Sequence, residues 1–84
     1  MARYYFHLRD GGDLLLDPEG AELDGPTAAW AQAMRAARAI LAAEVLEGRL
    51  PLHMRIDVED VGGALVHRLP FAEAVNILLD PAQA

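Results

Sequence analysis

PTAAWAQAMRAARAILAAEVLEG, residues 26–48, is the stretch that decides the fold. Pro26 suits a first helical turn, where a missing N–H costs nothing, and Asp24 or Thr27 can cap it. Gly48 stands where a left-handed C-cap is wanted, and Pro51 follows three residues later. The spacing therefore predicts one helix from about Pro26 to Glu47. Trp30, Ala33, Met34, Ala37, Ile40, Leu41 and Val45 recur at helical spacing as one apolar stripe. Gln32, Arg35, Arg38 and Glu47 lie largely off it. The remaining alanines widen the apolar face beyond what one sheet contact needs, so a second partner for the helix is expected. Trp30, Met34, Ala37 and Leu41 are the interface candidates.

Strand patterns flank the helix on both sides. Upstream, Tyr4, Phe6 and Leu8 alternate with Arg3, Tyr5, His7 and Arg9, a period of two that marks a half-buried strand. Asp10-Gly11-Gly12-Asp13 turns the chain, and Leu14-Leu15-Leu16 returns. Asp17-Pro18-Glu19-Gly20 breaks it again, and Ala21-Glu22-Leu23 either extends the strand or leads out of it. Downstream, Met54, Ile56 and Val58 alternate with Arg55, Asp57 and Glu59. A turn over Glu59–Gly63 sends back Ala64 to Leu69, with Leu65, His67 and Leu69 on one face. Pro70 then opens a short predicted helix, Phe71 to about Leu79, with Phe71, Ala74, Val75 and Leu78 sharing a face and Asp80-Pro81 ending it. The order β-β-α-β-β-α makes an α+β domain. It has a small antiparallel or mixed sheet with one long and one short helix packed on one face.

The 84 residues are expected to form a single domain. A chain this short hides only about 60% of its unfolded surface, so its core is small. Without cysteine it has no disulfide framework and no thiolate metal site. Either burial suffices or a second copy contributes, and a homodimer or another protein partner is expected. The opening residues go straight into a strand pattern with no signal core, and no run of about 18 apolar residues occurs. A cytoplasmic protein without membrane contact is the reading that follows. The net charge of −6 argues against nucleic acid, which needs clustered cations, and leaves room for a basic partner.

Chemistry-bearing residues are few. The chain has no Ser, Cys or Lys, and Thr27 is its one aliphatic hydroxyl, so covalent catalysis has almost nothing to use. No catalytic residue, cofactor or metal is assigned. The acidic run from Asp10 to Asp24 lacks the ligand spacing of a calcium loop and carries Leu14-Leu15-Leu16 in its middle, which leaves solvated turn carboxylates. His7, His53 and His67 form no local chelate, since none are two or four residues apart. The glycine pairs Gly11-Gly12 and Gly62-Gly63 sit in hairpin turns rather than before a helix, where a phosphate loop would stand. Arg35 and Arg38 read as a solvated helix surface. If the strand at Arg3–Arg9 neighbours the strand at Arg55–Glu59, His7 comes beside Arg55 and Asp57. Tyr5, His7, Arg9, Arg55 and Asp57 are then the ligand-binding candidates on a polar sheet face.

Arg3-Tyr4-Tyr5-Phe6-His7-Leu8-Arg9-Asp10-Gly11, Asp17-Pro18-Glu19-Gly20-Ala21-Glu22-Leu23 and the Ala-rich helix together resemble a family of small bacterial proteins, common in proteobacteria. Its members open with R-Y-[FY]-F-x-x-x-D-G, carry D-x-x-G-x-E-L and continue with an A-x-x-x-A-x-x-A helix. The likeness extends to a late hairpin ending in a Pro-Phe step, Pro70-Phe71 here. The resemblance implies a domain of unknown function and brings no activity or site residue with it. The chain is also similar, more weakly, to HicB-type antitoxins, which place a hairpin before an Ala-containing helix on a small sheet. The usual G-C step before that helix is absent here, and the analogy is one of fold alone. Three functions stand open: a non-enzymatic interaction or regulatory domain acting as a homo-oligomer, a small-molecule or metal-binding module or enzyme on the polar sheet face, and an antitoxin-like inhibitor of a basic partner.

Overall fold

The helix is α1, Pro26–Leu46, with Pro26 at its first turn and Gly25 before it at φ 92°. Neither Asp24 nor Thr27 caps it, because no side chain bonds its first amides. Its other end closes as a Schellman motif: Gly48 at φ 81° donates to the Val45 carbonyl and Arg49 to that of Glu44. The computed structural model, describing residues 1–81, places this helix on an antiparallel sheet. The strands are β1 (Ala2–Asp10), β2 (Asp13–Leu15), β3 (Ala21–Leu23), β4 (Arg55–Glu59) and β5 (Leu65–Pro70), and a 3-10 turn at Phe71–Glu73 follows. The chain is thus α+β.

The sheet order is β2-β1-β4-β5, with β3 also paired to β1. β1 and β4 are neighbours through Tyr5↔Glu59, His7↔Asp57 and Arg9↔Arg55. β2 and β3 run in line along β1 as one interrupted strand. Leu8 faces Leu15 and Tyr4 faces Ala21, so Leu16–Gly20 arch over the space opposite Tyr5–His7. The residues alternating toward α1 form the core: Tyr4, Met54, Ile56, Val58 and Leu69 with Ala29, Ala33, Ala37 and Leu41, plus Phe71 and Ala74 at the end of β5. Four-residue spacing of small residues on α1 brings its backbone close to the strands. Val45, the last residue of the expected stripe, is exposed.

The short C-terminal helix expected from Phe71 to Leu79 is not formed. One 3-10 turn, Phe71–Glu73, stands in its place. Phe71 and Ala74 are buried, Phe71 N–H bonds the Met54 carbonyl, and Arg38 Nε donates to the Ala74 carbonyl at 2.8 Å. Ile77, Leu78 and Leu79 stand exposed, Leu78 at 89%. A helix of two turns has no stability of its own without such packing, and the β-branched Ile77 and the Asp80-Pro81 step add nothing in its favour.

Candidate functional site

One face of the sheet packs on α1, and the other carries the alternate residues of the same strands. Along β1 these are Arg3, Tyr5, His7 and Arg9, and along β4 they are Arg55, Asp57 and Glu59. The pairing brings all five ligand-binding candidates, Tyr5, His7, Arg9, Arg55 and Asp57, onto one continuous surface. At its centre lies Asp57, only 4% exposed although α1 packs on the opposite face. Its Oδ1 accepts from Arg55 Nε and from Arg68 Nε, each at 3.1 Å, and its Oδ2 accepts from Arg9 Nε at 3.3 Å. Burial pushes the Asp57 carboxyl up, but the bonds and charges of Arg68 and Arg55 outweigh that and hold it below the usual carboxylate range.

Beside it stands His7, also buried. Its Nδ1 accepts the backbone N–H of Asp17 at 3.1 Å, which leaves the ring proton on Nε2, 3.3 Å from Glu59 Oε1. The Tyr5 ring lies nearly parallel to the imidazole, at 9° and 6.4 Å between centroids. Asp17 organises the arch at the edge of this surface. Its Oδ2 accepts from Phe6 N–H, taking the place of a missing strand partner, while Oδ1 accepts from Glu19 N–H and Gly20 N–H. Desolvation raises the Asp17 carboxyl, and these three amides bring it below its ordinary value.

Arg68, Glu59 and Asp17 belong to the surface and were not among the candidates. Arg68 is reached only through a register shift between Val58 and Glu59. Continued from Glu59↔Leu65 without that bulge, the pairing would set His67 opposite Asp57. His67 instead faces α1, meets Trp30 edge-on at 5.2 Å and bonds the Pro26 carbonyl through Nε2 at 2.7 Å. For Asp17, the D-P-E-G string signals an Asx turn, but its reach to Phe6 has no sequence signature. Of the interface candidates, Ala37 and Leu41 are sealed against the sheet, and Trp30 and Met34 are half-buried around the core. They do not form one exposed patch. Exposed apolar residues gather instead at Leu14, Leu15 and Leu16, and at Val45, Leu46 and Leu50. An open cleft of about 440 Å³ is lined by Leu8, Asp10, Asp13, Leu14, Leu15 and Met54.

The family model described as Domain of unknown function (DUF6894) matches residues 3–72. The chain belongs to this family. The matched span of this DUF6894 domain takes in α1, β2 to β5 and nearly all of β1, and with them every residue named on the polar face. The segment after the 3-10 turn, with its exposed leucines, lies beyond it. No curated protein and no solved structure matches the chain. Among the described residues no group of three His, Cys, Asp or Glu is placed to hold a metal ion, and no helix is long and apolar enough to cross a membrane. What the DUF6894 surface offers chemically is fixed donors, in guanidinium groups anchored on a buried carboxylate, beside the imidazole of His7 and the phenol of Tyr5.

Proposed function

We propose that this DUF6894 domain is a small cytoplasmic binding module, non-enzymatic, whose recognition surface is the open face of the sheet. One observation carries the reading: three strands deliver Arg9, Arg55 and Arg68 to a single buried carboxylate, Asp57. Neutralising one carboxylate needs one guanidinium. The other two would be better hydrated apart, unless the surface is organised to receive something. Charged and aromatic groups in fixed positions are what a binding surface needs, since little side-chain freedom is then lost when a ligand arrives. The cationic centre favours an anionic ligand over a basic partner, and this supports the binding reading over the antitoxin-like one. Native mass spectrometry of the chain recovered gently from its host tests the proposal. A ligand of fixed mass, retained by the native chain and lost by Arg68→Ala, is expected; bare protein mass in both would refute it.

A second reading concerns association. The run Leu14–Leu16 lies at a sheet edge between Asp13 and Asp17, and Leu15 is 68% exposed. Such an edge is a template for another strand. The occupant proposed is a second copy of this chain, because antiparallel pairing of one edge with itself about a two-fold axis is self-complementary. This keeps the interaction role expected for the chain but moves the contact from α1 to β2.

A further inference from the structure

We propose that the outer sheet face holds a site for an oxyanion, a phosphate or carboxylate group of a small ligand, formed by the guanidinium groups of Arg9, Arg55 and Arg68 around Asp57. This rests on the reading of that face as the binding surface and names what it binds. A guanidinium has five N–H donors, one on Nε and the rest on its two Nη atoms. Each of the three arginines reaches Asp57 through Nε, so the Nη groups remain for an acceptor. Arg55 and Arg68 bond the same oxygen at 3.1 Å, so their Nε atoms cannot be farther apart than twice that distance. Arg9 joins them on the second oxygen of the same carboxylate.

Three positive charges thus surround one negative charge, in a chain whose net charge is −6. Glu59, the other carboxylate at the centre of this face, is turned to His7 Nε2. Arg3, farther along, is paired with Glu22 at 3.2 Å. The surplus at Asp57 is a local cationic spot in an otherwise acidic molecule, and an oxyanion bound there would relieve repulsion among the guanidiniums. Planar guanidinium forks match the two oxygens of a carboxylate or phosphate, a geometry that Lys could not supply. Asp57 acts as a positioning residue: it holds the three long side chains near the bound arrangement before any ligand arrives.

The experiment is a titration of the full chain, at ionic strength held constant with potassium chloride, followed through the guanidinium Nε–H resonances. One arm uses inorganic phosphate and the other citrate. Saturable shifts at Arg9, Arg55 and Arg68 in either arm are expected, and which arm saturates tells phosphoryl from carboxylate ligands. Arg68→Gln, at the sheet edge, should weaken the affinity roughly tenfold or more. Arg35→Gln, on the exposed side of α1, should leave it unchanged. Should Arg68→Gln not fold, Arg9→Gln takes its place. Shifts that fail to saturate in both arms, or an equal affinity in the Arg68 variant, overturn the site. If neither anion binds while a ligand recovered from the host is still lost by Arg68→Ala, the oxyanion assignment falls and the binding face stands.

Discussion

Gly20 ends the arch between β2 and β3 at φ 68°, where a Cβ would lie 2.7 Å from the Tyr4 carbonyl oxygen. Both the backbone conformation and the contact with a fixed strand forbid a side chain, so Gly20→Ala should cost about 2 kcal/mol or more in urea unfolding. The neighbouring Asp17 sets a pH dependence. Its carboxyl, like that of Asp57, is lowered in the folded chain, so each adds stability that is complete above the unfolded value and lost as pH falls through the folded one. Acid unfolding of the native chain should therefore steepen below about pH 4, and Asp17→Asn should flatten that limb while lowering stability at neutral pH by about 1–3 kcal/mol. The candidate residues on β1 and β4 could be read from alternation once the two strands were taken as neighbours. Arg68 could not, because a bulge resets a register that counting from the turn would carry on unchanged, and Asp17 acts across a gap no local pattern describes.

The elements differ in how far local sequence determines them. α1 begins at Pro26 as its signals require and stops one residue short of the expected Glu47, because proline and glycine constrain the backbone wherever they stand. The breadth of its apolar face was misleading for a different reason. Alanine reads as apolar whether it lines a core or faces water, and Ala33 and Ala37 are fully buried while Ala39 and Ala42 are exposed. Ala37→Leu should overpack the helix–sheet contact and cost about 1–3 kcal/mol, whereas Ala39→Leu should stay within about 0.5 kcal/mol; thermal unfolding separates them. The segment after Phe71 has helical periodicity, but burial ends at Val75, and periodicity with so little burial does not hold a short helix.

The whole molecule is elongated, 48 × 25 × 19 Å with a radius of gyration of 14.2 Å, against about 12 Å for a compact chain of this length. More surface per residue leaves more leucine exposed, which is why the second reading invokes another copy. Sedimentation velocity at increasing concentration should show a dimer that Leu15→Arg converts to monomer; a strict monomer at high concentration would remove the β2 contact. Composition indicated the small core, but the location of the exposed patch depended on how far α1 reaches over the strands, which length and charge do not encode. The opposite side of the sheet has one more consequence. Asp57 is held there by the side chains of Arg9, Arg55 and Arg68, so this surface can be rewritten one residue at a time while Ile56, Val58 and Leu69 continue to pack beneath α1. Were the proposed site there, a sequence built this way could change its ligand while most of its apolar core, on the other side of the same strands, stayed as it is.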